Sequence, residues 1–204
     1  MTRRFISNRD EPVPLFRDPW MERLSHVHPA VPPLLYLPVA GWFLTTAIRA
    51  HGAWQVLLQL LLGVLIWTLV EYMVHRWLFH YEPKSAWGRR FHFLAHGIHH
   101  DYPRDRTRLV MPPAVSLPMA ILFVLLFRQF AGPWHLALSA GFGIGYVAYD
   151  MIHFATHHGP IPGRLGRALK AYHLRHHYRD DHRGFGVSSP LWDLVFGTLP
   201  QRKR

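Results

Sequence analysis

The chain has no cysteine among its 204 residues. That absence excludes disulfide staples, thiolate metal sites and a cysteine nucleophile, so any bound metal has to rest on histidine or carboxylate. Charge is scarce too: Asp, Glu, Lys and Arg make up 17% of the residues, while hydrophobic residues make up 50%. Acids are the rarer sign, 12 against 23 bases, for a net charge of +11. A mean hydropathy of +0.00 conceals segregation, because the bases and 17 histidines are gathered into a few segments between long apolar runs. Such segregation belongs to membrane proteins. It argues against a nucleic-acid partner, and anionic lipid headgroups are the counter-charge that fits it. The N-terminus, MTRRFISNRDEPVPLFRDPW, is basic but lacks an apolar core with a cleavage site and does not read as a secretory signal.

Residues 1–33 read as an irregular lead-in, since Pro12, Pro14, Pro19, Pro29, Pro32 and Pro33 oppose a continuous helix. Four apolar runs follow, at 34–50, 54–74, 115–130 and 134–152, each about the length that crosses a ~30 Å hydrocarbon core. Short breaks at 49–53 and 131–133 pair them into two hairpins. Gly141, Gly143 and Gly145 in the fourth run predict close helix packing. Nearly all the arginine lies in the lead-in, in 75–113 and in 153–204, whereas the two turns hold only Arg49. The positive-inside rule then places those segments and both termini on the cytoplasmic side. The expected fold is an all-α integral membrane protein with four transmembrane helices and a cytosolic helical cap built from 75–113 and 153–204, the whole of 34–204 forming one membrane domain.

Every histidine cluster falls on that same side. The clusters are His75 and His80; His96, His99 and His100; His153 and His157, with His158 adjacent; and His173, His176 and His177. Within each HxxHH, positions 0, +3 and +4 share a helical face and could converge on one point, so that the two motifs look like halves of one metal site. Ten imidazoles exceed the roughly four to six ligands that one ion takes, which implies two ions. His75 and His80 are five apart and diverge by about 140° on a regular helix, so the helix is expected to end or distort there. Neutral imidazole suits zinc, copper, iron or nickel alike. Glu71, Asp101, Asp150 and Asp180 could orient ligands by accepting from the distal ring nitrogen. Tyr149 and Asp150 stand four and three residues before His153 and are candidates to line the site or meet substrate. The lone histidines His26, His28, His51, His92, His135 and His182 read as surface or hydrogen-bonding residues. Arg104, Arg106 and Arg108 could hold an anionic headgroup, dock an acidic partner, or merely mark the cytoplasmic side. Gly184-Phe185-Gly186 and the patch from Trp192 to Thr198 could close the site as an interfacial segment.

The strings HGIHHDYPRDRTRLVMPP, YDMIHFATHH, YHLRHHY and GFGVSSPLWDLVFGT make the chain similar to the fatty acid hydroxylase and sterol desaturase superfamily, specifically to its fatty acid 2-hydroxylase branch. The resemblance implies a dimetal centre with ten ligands: His75, His80, His96, His99, His100, His153, His157, His173, His176 and His177. It also implies O2-dependent hydroxylation of an acyl chain at C2, as free acid or within a sphingolipid. Iron is the metal expected in the active form, with zinc as an alternative occupant. Eukaryotic members often carry a fused cytochrome b5 domain. Here about thirty residues precede the first run, too few to enclose haem, so a separate cytochrome b5-like or ferredoxin-like donor with its reductase is expected. An Arg-rich, Lys-poor composition suggests a bacterial inner membrane. The same scaffold could act on a sterol or carotenoid, and a metal transporter is the competing class, though transport ligands belong near the bilayer midplane.

Overall fold

In a computed structural model describing residues 5–201, the lead-in contains a short helix, α1 (Pro19–Ser25), so it is not wholly irregular. Asp18 caps α1 by accepting from the amides of Trp20 and Met21 at 2.9 Å. The prolines at 32 and 33 begin the next helix, α2 (Val31–His51), instead of opposing it. Proline at the first helical positions gives up an amide that would have no helical partner there. Gly52, at φ +80°, ends α2 and starts α3 (Ala53–Met73).

α3 passes into a π-helical turn, Val74–Phe79, and α4 (Ala86–His92) passes into another, Phe93–Gly97, before the short α5 (Ile98–Asp101). α6 (Pro113–Ala131) and α7 (His135–His158) are joined by the 3-10 turn Gly132–Trp134. α7 runs on to His158, past the expected end at residue 152. α8 (Gly163–Tyr178) and α9 (Leu191–Val195) complete the chain.

Among the described residues three segments are long and apolar enough to cross a membrane: Val31–His51, Ala53–Phe79 and Pro113–His158. The third spans 46 residues, about 69 Å if straight and far more than one bilayer core needs. It is folded in two: Gly132 takes φ +52°, and α6 returns along α7 with Phe123 stacked on Phe142 at 4.3 Å.

α7 is the central helix. Trp67 of α3 packs against Phe142 and Tyr146 at 5.1 and 5.2 Å, and Tyr36 of α2 meets Tyr146 at 5.0 Å. Glycine permits the close α3–α7 approach, since a Cβ on Gly141 would lie 2.1 Å from the Leu60 carbonyl oxygen and one on Gly63 would lie 2.3 Å from that of Leu138. Gly143, marked with its neighbours in the sequence, meets nothing within 4 Å. The leucines of the outer faces, such as Leu61 and Leu122, stay exposed, as lipid-facing residues should. This core holds the ends of α3 and α7 side by side, where the histidines lie.

Candidate metal centre

The ten clustered histidines gather into two groups of five: His75, His80, His96, His100 and His176, then His99, His153, His157, His173 and His177. In each group the ring nitrogens lie within 4.8 Å of one another. In the first group neighbouring Nε2 atoms are 3.1 Å apart for His75 and His96, 3.3 Å for His75 and His80, 3.0 Å for His96 and His100, and 3.1 Å for His80 and His176. In the second they are 2.9 Å apart for His99 and His153, 3.0 Å for His99 and His177, 3.1 Å for His173 and His177, and 2.9 Å for His157 and His173. Adjacent ligands around an ion at imidazole bond lengths sit about 2.9–3.4 Å apart. Five inward nitrogens cannot satisfy one another, because a neutral ring with its proton on Nδ1 has only a lone pair at Nε2. The donor set therefore fits two metal ions.

The histidines of one HxxHH motif do not converge on one point. His96 and His100 serve the first group and His99 the second, while His173 and His177 serve the second and His176 the first. The cause is helical pitch: positions 0 and +4 are about 40° apart, whereas +3 and +4 are about 100° apart and diverge. Each motif therefore staples the two groups together. The distortion expected between His75 and His80 is present as the π turn, in which the His80 amide donates to the His75 carbonyl at 3.2 Å. That i→i+5 bond brings residues five apart onto one face.

Burial and the neighbouring imidazoles hold His96, His99, His173 and His177 well below the ordinary histidine range, and the same causes lower His80. All are neutral at pH 7, the form that binds metal. Two rings of the first group are oriented by backbone. His75 Nδ1 donates to the Phe185 carbonyl at 2.5 Å and His176 Nδ1 to the Arg183 carbonyl at 2.9 Å. Glu71 orients no imidazole directly: it accepts from the amides of Val187 and Ser188 at 2.7 and 2.8 Å and from the Ser188 hydroxyl. Asp193, fully buried, accepts from the amides of Phe185 and Gly186 at 3.0 and 2.7 Å. These carboxylates clamp the 185–188 loop, which in turn holds His75. Gly186 is obligatory in it, because a Cβ would meet the Ser189 carbonyl oxygen at 2.1 Å. Asp180 accepts from the His182 amide at 3.1 Å, and its neighbour Asp181 is the carboxylate that faces His80 Nδ1, at 3.9 Å. Asp181 and Asp193 carried no sequence signal beyond proximity.

A cavity of about 450 Å³ opens beside the centre, lined chiefly by alkyl and aromatic side chains. His96, His99 and His153 form part of its wall, so it touches both groups. Tyr149 and Asp150 line it as well, with Tyr149 stacked on His153 at 5.7 Å. A second, more polar pocket of about 220 Å³ is lined by Glu82, His92, Asp101, Asp181 and His182 and also reaches His96. Phe79, stacked on His96 at 4.8 Å, lines both. His158 stands outside both histidine groups, stacked on Phe154, as do the six lone histidines. Two of the three arginines are engaged internally, Arg106 with Asp10 and Arg108 with Glu22 and Asp105.

A family model described as Fatty acid hydroxylase matches residues 60–198. The chain is 39% identical over 173 residues to the dihydroceramide fatty acyl 2-hydroxylase of Arabidopsis thaliana, covering 84% of this chain and 73% of that one. With the ceramide very long chain fatty acid hydroxylase of Saccharomyces cerevisiae it shares 41% identity over 189 residues, 91% of this chain and 49% of the relative. A solved structure of full-length Scs7p, in which only the hydroxylase domain is visible, superposes with a TM-score of 0.87 at 40% identity, covering 92% of this chain and 72% of that one.

Proposed function

The chain belongs to the fatty acid hydroxylase family, and from that premise we propose that it hydroxylates a fatty acyl chain at C2, as free acid or within a sphingolipid or other lipid. The observation that carries this reading is the apolar cavity walled by histidines of both groups. Its lining suits an apolar chain. Relatives named as fatty acyl 2-hydroxylases point to C2, and one named as a ceramide hydroxylase points to an acyl chain in a sphingolipid.

In this reading His75, His80, His96, His100 and His176 hold one ion and His99, His153, His157, His173 and His177 the other. Iron held there would supply, with O2 and two electrons, the oxidant that an unactivated C–H bond requires, one oxygen atom going to C2 and the other to water. The chain's own side chains do the rest. Leu94, Ile98, Leu109 and Val110 exclude water and align the acyl chain. Tyr149 and Asp150, beside His153, position the carbonyl end so that C2 and not a later carbon meets the centre.

The same proposal includes four spans, α2, α3, α6 and α7, with the histidine cap and both termini in the cytoplasm of a bacterial inner membrane. The basic flanks and the α6–α7 fold-back support it. Electrons come from a separate cytochrome b5-like or ferredoxin-like donor. The test is expression with such a donor and mass spectrometry of the lipids. One added oxygen at C2 is expected, and it should vanish in Asp150→Asn protein that retains its metal. Oxygen on a sterol or carotenoid instead, or on no lipid, would overturn the reading.

A further inference from the structure

One wall of the apolar cavity is unlike the others. Phe79, Met111 and Val115 come from the spans or their direct continuations and Leu94 from the π turn after α4, whereas Leu15, Phe16, Met21, Leu24 and Ser25 come from the lead-in. α1 buries none of its own residues, and Met21 and Leu24 remain 52% and 64% exposed. What holds this wall is polar and centred on one residue. Glu22 accepts from the amides of Leu15 and Phe16 at 2.9 and 3.0 Å and from Arg108 at 2.6 Å. It also lies 3.0 Å from His26 Nε2. Arg108 is braced in turn by Asp105 at 2.8 Å.

The segment is a strap fastened at both ends. Upstream, the Ser7 amide donates to the Asp101 carbonyl at 2.8 Å, and Asp10 pairs with Arg106. Downstream, the Val27 amide donates to the Thr107 carbonyl at 2.7 Å. Between these fastenings it is secured by the Glu22 contacts and not by a buried core. Regions with little buried apolar surface open at far lower free energy than packed helices. An acyl chain, insoluble in water, has to arrive from the hydrocarbon, and the strap leaves Met21 and Leu24 of the cavity wall, and Trp20 beside them, more than half exposed.

We propose that residues 15–25 form a lid over the cavity, latched by Glu22 to Arg108, which swings away to admit an acyl chain sideways from the bilayer. This rests on the reading of the cavity as the acyl site. Because the chain has no cysteine, the lid can be locked in an otherwise inert background. Leu24 and Phe91 line the cavity from α1 and α4, so Leu24→Cys with Phe91→Cys puts one thiol on the lid and one on a fixed wall, to be bridged with bis-thiosulfonate reagents of graded length, with each single variant as control. Uptake of a radiolabelled long-chain fatty acid by purified, metal-loaded protein should fall about tenfold or more on bridging and return on reduction. Fatty acid loaded before bridging should stay bound. Glu22→Gln, with the latch weakened, should take up the label about fivefold faster without changing the amount bound at equilibrium. Bridged protein that takes up label as fast as unbridged, or Glu22→Gln protein no faster than wild type, would overturn the lid alone. Wild-type protein that binds neither fatty acid nor ceramide would overturn the acyl reading with it.

Discussion

The two histidine groups hold the same number of rings but keep them in place by different means. The second is set mainly by long helices: His153 and His157 lie one turn apart on α7, His173 and His177 one turn apart on α8, and only His99 comes from elsewhere. The Nδ1 atoms of His99, His173 and His177 are buried and find no acceptor among the described residues, so helix packing alone aims these rings. The first group is assembled from two π turns, α5 and one residue of α8, and two of its rings are held by carbonyls of the 183–185 stretch. One centre is therefore aimed by packing and the other by hydrogen bonds, with the crossed HxxHH motifs coupling them.

Removing one histidine from each motif breaks the comparison most severely. His176→Ala should empty the first group and leave the second loaded, and His99→Ala the reverse. After dialysis against a competing chelator, each protein should retain about one ion in place of two, because the untouched group keeps its five histidines while the other is left with four. Hydroxylation should be abolished in both. Elemental analysis beside lipid mass spectrometry would decide it, and two ions retained by either variant would refute the assigned partition.

A smaller effect separates the means of support. Glu71→Gln keeps the side chain's shape but weakens its grip on the Val187 and Ser188 amides, and so on the loop that carries the acceptor for His75. Loss of such indirect support costs about 10- to 100-fold in metal affinity. Chelator competition should show that loss for one of two ions. Equal weakening of both would mean that the groups do not differ as described.

Local features were legible in the sequence and contacts between distant segments were not. The apolar runs and the histidine spacings depend on periodicity within a few residues, and the five-residue gap between His75 and His80 already demanded a distorted helix. The split of each HxxHH motif follows from the same pitch but is visible only once a second ring of ligands stands on the other side of α5 and α8. Glu71 meets a loop more than a hundred residues away, and Arg108 meets a helix more than eighty residues earlier. No spacing in the chain announces either, which is why Glu71 was expected beside an imidazole and the lead-in was expected to be irregular. Gly63 shows the same limit, since its close contact with α7 depends on a crossing point that only the fold sets.

Acid gives the gentlest separation of the two groups. His80 and His96 of the first group and His99, His173 and His177 of the second are held neutral with pKa values below the ordinary 6.5, so the unfolded or open chain binds more protons than the native one below that pH. Stability and metal retention are then complete above about pH 6.5 and decline below it, by about 1.4 kcal/mol per pH unit for each ring that must stay neutral. The first group is the more accessible to water. His80 and His100 are only partly buried and line the polar pocket, where Asp181 lies 3.9 Å from His80. Every ring of the second group is buried. Titration from pH 7 toward pH 5 with metal analysis at each step should therefore release the ions in two phases. His176→Ala protein, stripped of its first-group ion by chelator beforehand, should show only the later phase. A single phase in wild-type protein would show that the crossed motifs couple the groups too tightly for their surroundings to matter.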